Sequence, residues 1–124
     1  MATELTEAQC REAMRAGEFG VDVRSIAARV AVVLTQGWCP QWTMMRGWLD
    51  RVAAEAGAAA FTLEYDRLPF FAEFLAFKED SLGNRSIPYV RWYRDGVLVA
   101  QGNYVSPDVF VRNFERNVVG RTTA

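Results

Sequence analysis

The stretch VAVVLTQGWCPQW, residues 30–42, is the most informative part of the sequence for the architecture. Residues 30–35 form a continuous apolar run rich in β-branched side chains, which is typical of a central strand buried on both faces. A short loop carries Trp38 and Cys39, and Pro40 then stands where a proline favours the first turn of a helix. The sequence therefore predicts a buried strand, a tight loop and a helix whose first turn lies beside Cys39.

Helical patterns extend on both sides of this stretch. Apolar residues at three- and four-residue spacing, together with capping residues, predict helices over residues 6–17, 41–57, 67–83 and 106–118. Cys10, on the first helix, is expected to act as a small buried side chain. The third helix is rich in aromatic rings that we expect to lie mostly in the core: Phe70, Phe71, Phe74 and Phe77.

Strand patterns complete the architecture. Alternation predicts a short edge strand over residues 19–23, an apolar run predicts a buried strand over 59–66, and residues 87–102 form a hairpin around an Asp-Gly turn. On that hairpin, Arg91 and Arg94 are expected to lie on a solvated face. Helices between the early strands require parallel pairing, whereas a hairpin is antiparallel. We therefore expect an α/β fold with a central mixed β-sheet flanked by helices on both faces.

The composition excludes several classes of function. The 124 residues include 14 Lys and Arg against 15 Asp and Glu, a net charge of −1, so no basic surface indicates nucleic acid or an anionic membrane as a partner. The absence of histidine removes His-dependent catalysis, and two cysteines alone cannot make a structural zinc site. We expect no cofactor, no metal and no Cys10–Cys39 disulfide.

Length and terminal sequence give two further expectations. A chain of 124 residues is expected to form a single domain, residues 1–124. Its first residues are polar and mixed in charge, unlike a secretory signal, and no apolar run reaches the roughly 20 residues of a membrane span. These features favour a cytoplasmic location.

Three segments, taken together, resemble the thioredoxin family. GWCPQW matches the family's strand-to-helix turn through Trp38 and Cys39, SIPYVRWYRDG matches its Ile-Pro segment and following hairpin, and GNYVSPDVFVRNF matches its last helix. The resemblance covers about residues 19–118 and leaves 1–18 as an additional N-terminal helix. It implies a thioredoxin-like fold in which the Ile87–Pro88 bond is cis and Pro88 faces Cys39.

The departures from the family's pattern concern its second cysteine and its proton-handling pair. Trp42 stands where the family has the resolving cysteine of Cys-x-x-Cys. The family's buried acid falls at Val33 here, and the lysine that partners it falls at Thr62. The Cys-Pro start also resembles glutaredoxins, but their Gly-Gly-Asp-type glutathione clamp has no equivalent after the hairpin. The site therefore keeps the first cysteine alone.

Cys39 is the candidate catalytic residue. Unpaired backbone N–H groups at a helix N-terminus favour a thiolate, which attacks disulfides. The alternative is that Cys39 is an unreactive remnant of a redox site. The residues expected to line a substrate or partner groove around it are Trp38, Pro40, Trp42, Ile87, Pro88 and Tyr89.

Trp42 itself has two interpretations. In one, its ring fills the core at the first turn of the helix; in the other, it presents a flat aromatic surface to a partner.

Two functional hypotheses follow. The first is a thiol-disulfide protein, or redox sensor, with a single active cysteine that an external thiol resolves. The second is a non-catalytic interaction or chaperone-like module that holds an extended segment of a partner in the same groove. The expected partners are a protein with a disulfide or an extended segment, and a low-molecular-weight thiol. Catalysis requires an exposed Cys39, whereas binding tolerates Cys39→Ser.

Overall fold

The computed structural model of the protein describes residues 2–117; the last residue of the helix predicted over 106–118 lies outside the described residues. Within that range, five strands form one mixed sheet in the order β1-β3-β2-β4-β5. The first three strands pair in parallel, and the last two pair antiparallel to their neighbours. The strands are β1 (Thr3–Glu4), β2 (Arg29–Thr35), β3 (Ala58–Glu64), β4 (Tyr89–Arg94) and β5 (Val97–Gly102).

Helices cover both faces of this sheet, as predicted. They are α1 (Glu7–Ala16), α2 (Val21–Arg24), α3 (Pro40–Glu55), α4 (Phe71–Ala76) and α5 (Pro107–Arg112). One core layer, the α4 layer, packs α1, α2 and α4 against one face of the sheet. The other, the α3 layer, packs α3 and α5 against the opposite face. The two layers bury β2 on both sides, as its continuous apolar run predicts.

The prediction of an edge strand over residues 19–23 is wrong. Those residues enter α2, and the edge position belongs to β1, which pairs with β3. Phe19 and Val23 are buried, but Val21 is exposed, although a strand would place all three side chains on the same face. Gly20 is the N-cap of α2. The alternation that suggested a strand was too short to separate the two periods.

The single helix predicted over residues 67–83 is divided. A 3-10 turn spans Tyr65–Arg67, α4 follows, and a π-helix spans Phe77–Ser81. Leu68 precedes a proline and adopts an extended backbone, because the proline ring excludes the helical conformation there. The aromatic residues are in the core as predicted, with Phe70, Phe74 and Phe77 buried and Phe71 packed against them.

Arg91 does not lie on a solvated face, contrary to the prediction. It is 5% exposed, and its guanidinium donates to Tyr89 Oη at 2.7 Å, to Tyr93 Oη at 2.8 Å and to Glu18. The alternation of the strand is real, but the loop before α2 brings Glu18 over that face. Arg94 is half-buried and donates to the carbonyls of Phe114 and Arg116.

The N-terminal helix agrees with its sequence signals. Thr6 and Gln9 form a reciprocal capping box at the start of α1, and Gly17 ends it in the left-handed conformation. Cys10 is fully buried in the α4 layer, whereas Cys39 belongs to the α3 layer, and both thiols are free.

Candidate functional site

Cys39 is the N-cap residue of α3, at the end of a loop that leaves β2. The loop is closed by a hydrogen bond from Cys39 N to Gln36 O at 3.2 Å, and Gly37 N donates to Asp66 Oδ1 at 2.9 Å. The Cys39 carbonyl accepts the first helical bond from Thr43 N at 3.1 Å. Its side chain makes no capping bond, so the sulfur is free to point away from the helix end.

The thiol faces the segment that contains Pro88. Cys39 Sγ donates to the Ile87 carbonyl, with the sulfur 3.9 Å from the oxygen, and the Ile87–Pro88 peptide bond is cis. Cys39 is only 4% exposed, so the sulfur is recessed rather than open as the catalytic hypothesis requires. The structure therefore brings Cys39 and the Ile87–Pro88 segment together, in a closed arrangement.

Two asparagines hold the Ile87–Pro88 segment from its flanks. Ser86 N donates to Asn84 Oδ1 at 3.0 Å, and Asn103 Nδ2 donates to Pro88 O at 3.1 Å. The two asparagine amides also bond to each other at 3.0 Å. Neither asparagine was predicted from the sequence as part of the site. Asn84 had a local signal, because an asparagine side chain often bonds to the backbone two residues further on. Asn103 had none, because it follows the end of a different strand, β5.

Trp38 and Pro40 are exposed on either side of the recessed thiol. Trp38 is 67% exposed, and its indole N–H donates to Gln36 Oε1 at 2.6 Å. One helical turn beyond Pro40, Met44 is 62% exposed. Met44 was missed because a single exposed apolar residue has no sequence signal. Trp38, Pro40 and Met44 are thus exposed apolar residues close to Cys39 in the sequence, and we call them the rim of the site.

Trp42 lies in the core, which is the first of its two interpretations. It is 3% exposed within the α3 layer, and its indole N–H donates to Glu64 Oε2 at 2.8 Å. Arg46 and Arg67 pair with the same carboxylate at 3.3 and 3.2 Å. These residues line a polar cavity of about 470 Å³ beside the start of α3. Trp42 therefore presents no flat surface to a partner.

Tyr89 does not line the groove, which corrects the expectation. Its ring is fully buried in the α4 layer, on the opposite face of the sheet from Cys39, and its hydroxyl donates to Gln101 Oε1 at 2.5 Å. Side chains alternate along a strand, so the first residue of β4 points away from the face that the thiol occupies.

Apolar and weakly polar side chains occupy the positions of the family's proton-handling pair. Val33 is fully buried in the same layer as Cys39, and it is the register partner of Thr62 across β2 and β3. These two residues offer the thiol no carboxylate and no ammonium.

Within residues 2–117 the structure offers neither a metal site nor a membrane-spanning helix. No cluster of three or more His, Cys, Asp or Glu side chains is arranged to hold a metal ion. In the same part of the chain, every helix is too short or too polar to cross a bilayer.

Comparison with known proteins relates the fold to thioredoxins. Among solved structures, thioredoxin F from spinach chloroplast has a TM-score of 0.66 at 16% identity over 92% of this chain and 90% of that one. Thioredoxin O2 from Arabidopsis thaliana in its oxidized state has a TM-score of 0.63 at 15% identity, covering 91% and 90%. A mutant thioredoxin from Halobacterium salinarum NRC-1 has a TM-score of 0.61 at 20% identity, covering 76% and 78%.

No protein-family model matches the chain, and no curated protein matches its sequence. The structural likeness, at these low identities, establishes the fold: the chain has the thioredoxin fold, an α/β architecture with a central mixed sheet. Activity does not follow from a fold alone, so function must be argued from the site.

Proposed function

We propose that the protein is a monothiol thiol-disulfide exchange protein with Cys39 as its nucleophile. One observation carries the proposal: the thiol sits at the N-cap of the 16-residue helix α3 and meets the Ile87 carbonyl beside a cis-proline. Unpaired N–H groups at such a helix end stabilise a thiolate, which is the attacking form. The thioredoxin fold places these two elements side by side.

The exchange proceeds in two balanced steps. The Cys39 thiolate attacks one sulfur of a disulfide, the Cys39–sulfur bond forms, the original bond breaks, and the departing sulfur leaves as a thiolate. With Trp42 in the resolving position, a low-molecular-weight thiol attacks the mixed disulfide and releases Cys39. No net oxidant is consumed, because one disulfide is exchanged for another. Such resolution suits a reducing compartment such as the cytoplasm.

The partner in this proposal is a protein with an exposed disulfide or an extended segment. Trp38, Pro40 and Met44 supply apolar contact area around the sulfur, and the Ile87 backbone supplies hydrogen bonds to an extended chain. Because Cys39 is recessed, a partner must displace the thiol from the Ile87 carbonyl before attack occurs.

A second candidate is a non-catalytic interaction module that uses the same rim. The observation that favours it is the contrast between a sulfur-bearing residue that is 4% exposed and a tryptophan beside it that is 67% exposed. In that case Trp38 anchors the partner and the sulfur is a packing atom. Cys39→Ser then leaves partner binding unchanged.

The test is formation of a mixed disulfide with glutathione disulfide, followed by intact-mass spectrometry. We expect a Cys10→Ser variant, folded and at neutral pH, to gain one glutathionyl group at Cys39 and to lose it on addition of reduced glutathione. A Cys39→Ser variant is the matched control and gains none. An adduct that forms only after denaturation would overturn the redox proposal and leave the interaction module.

A further inference from the structure

The only lysine of the chain lies in an unusual place. Of the 14 basic residues, thirteen are arginine and one is Lys78. Lysine side chains are rarely buried, because the ammonium loses its hydration. Lys78 nevertheless has no exposed surface, and it belongs to the π-helix Phe77–Ser81, a type of turn that is frequent at functional sites. Its burial therefore needs a structural reason.

The ammonium is directed at the segment that meets the active thiol. Lys78 Nζ donates to the Ser86 carbonyl at 2.5 Å and lies 5.7 Å from the centroid of the Tyr89 ring. The Lys78 carbonyl also accepts from Asn84 N at 3.3 Å. Within residues 2–117 the side chain forms no ion pair; the nearby Glu79 is paired with Arg85 instead. The hydrogen bond of the ammonium therefore goes to the loop carbonyl.

Two adjacent carbonyls are thus held from opposite faces of the sheet. Ser86 O accepts from Lys78, which lies on the turn that follows α4, and Ile87 O accepts from Cys39, which belongs to the α3 layer. Ile87 itself packs against both layers. The two carbonyls are related only by the φ and ψ angles of Ile87, which are restricted because Ile87 precedes a proline and packs against both layers, so fixing one carbonyl limits the direction of the next.

We propose that Lys78 is a positioning residue for the Cys39 site: its buried ammonium holds the Ser86 carbonyl and so fixes the Ile87 carbonyl against the thiol. The inference rests on the proposed function of Cys39. Lys78 does not touch the sulfur or a substrate; it acts through the segment 86–88. A charge at this place keeps the thiol recessed, and its loss frees the segment and opens the sulfur.

The electrostatic surroundings make Lys78 titrate within an accessible range. Burial lowers the pKa of the ammonium to about 8, and the carboxylate of Glu79 on the same turn opposes the shift. From β4, the Tyr89 ring faces it, and burial raises the pKa of that phenol above its ordinary value of 10. Between pH 7 and 9, Lys78 therefore changes charge while the tyrosine opposite it stays neutral.

The first test is alkylation of Cys39 by iodoacetamide at pH 7 in a Cys10→Ser background. Lys78→Met removes the charge and the donor but retains an apolar side chain of similar length, and we expect alkylation to accelerate on the order of tenfold, as for loss of a charged hydrogen bond. Arg85→Met is the matched control: it removes an exposed cation of the same loop that pairs with Glu79 and Asp80, and it leaves the rate unchanged. Equal rates in all three proteins would refute the role of Lys78.

A second measurement uses the folded wild-type chain, in case Lys78→Met does not fold. Labelling with nitrogen-15 lysine gives one side-chain resonance, because the chain has one lysine. We expect this resonance and the backbone resonances of residues 86–89 to titrate together, with one midpoint near the lysine pKa of about 8. Backbone resonances of residues 86–89 that stay unchanged while the lysine titrates would contradict the proposal.

The two tests separate this inference from the function on which it rests. Failure of Cys39 to exchange with glutathione disulfide refutes the redox function, while the coupled titration still supports the hold of Lys78 on the loop. Normal exchange with unaltered alkylation in Lys78→Met refutes the role of Lys78 alone.

Discussion

At the scale of single residues, Trp42 is a packing residue that stands where the thioredoxin sequence pattern has its second cysteine. The large ring occupies the third position after Cys39, where it fills the α3 layer and bonds to Glu64. The charged acceptor makes that indole hydrogen bond one of the stronger kind, at roughly 1.5–3 kcal/mol. A tryptophan at this point therefore leaves Cys39 without a second thiol three residues on, and it stabilises the start of α3.

Trp42→Cys is the variant that tests this double role. We expect it to lose on the order of 3–5 kcal/mol of unfolding free energy, because a buried ring is replaced by a small side chain. We also expect partial dithiol activity in insulin reduction, since the new Cys-Pro-Gln-Cys turn follows the same strand. Urea unfolding measures the first effect and an insulin turbidity assay the second.

Trp42→Phe is the control, because it keeps a ring and removes only the donor to Glu64. It should lose the smaller amount expected for that hydrogen bond, and it should remain inactive towards insulin. A folded Trp42→Cys protein without any insulin reduction would argue that the scaffold no longer aligns two sulfurs. Unchanged stability in Trp42→Cys would mean that the ring contributes nothing to the core.

At the scale of elements, two glycines of the α3 region have opposite effects. Gly47 lies within the helix on its exposed side, with nothing within 4 Å of an added Cβ. Gly57 follows the helix end with φ of +68°, in the left-handed region that favours glycine. The same substitution should therefore stabilise at one position and destabilise at the other.

Gly47→Ala should raise the unfolding free energy by about 0.5–1 kcal/mol, because alanine loses less backbone entropy on folding. Gly57→Ala should lower it by roughly 1–2 kcal/mol, the cost of a left-handed conformation with a Cβ. Chemical denaturation of both variants against wild type measures the pair. Destabilisation by both substitutions would show that α3 is not a regular helix at Gly47.

The elements also show what local sequence can and cannot predict. β2, the Cys39 turn and α3 follow from an apolar run and a proline, so local pattern was sufficient. The division of the helix near residues 67–83 was readable in principle from the proline at position 69. The presence of α2 instead of a strand at residues 19–23 was not readable, because the alternation there is too short to separate the strand period from the helical one.

At the scale of the whole molecule, the residues whose burial was not predicted are those for which burial depends on the layer that covers them. Arg91 and Tyr89 alternate with apolar residues as a surface strand would, yet Glu18 and the α4 layer cover that face. Burial of Cys39 and of Lys78 likewise results from the two layers closing on one loop. The resemblance to thioredoxins predicted that the Ile87–Pro88 segment faces Cys39, but only tertiary packing determines that the thiol is recessed.

Two buried groups, Lys78 and Cys10, change the free energy of unfolding in opposite directions in alkaline solution. Burial lowers the pKa of Lys78 to about 8, so below pH 8 the folded state holds a buried charge that reduces its stability. This loss of stability is recovered as the pH rises from 8 towards the ordinary lysine pKa of 10.5. Cys10 has its pKa raised by burial to about 11, with Glu7 and Glu4 adding to the rise. The stabilisation that results from this raised pKa is complete below the ordinary cysteine pKa of 9 and is lost between pH 9 and 11.

These two pKa shifts predict a pH interval in which Lys78 is the main group that changes the free energy of unfolding. Between pH 8 and 9 the unfolding free energy should increase by about 1 kcal/mol, since the unfolded chain binds more protons at Lys78 than the folded one. Lys78→Met should lose this rise and fall slightly over that interval, because Cys10 begins to ionise in the unfolded chain, whereas Cys10→Ser should keep the rise and continue it above about pH 9. Urea unfolding at successive pH values from about 7 to 10 measures all three proteins. A wild-type curve that is flat or falls over the window would mean that the ammonium of Lys78 is hydrated, and a slope shared by Lys78→Met would assign the proton to another group.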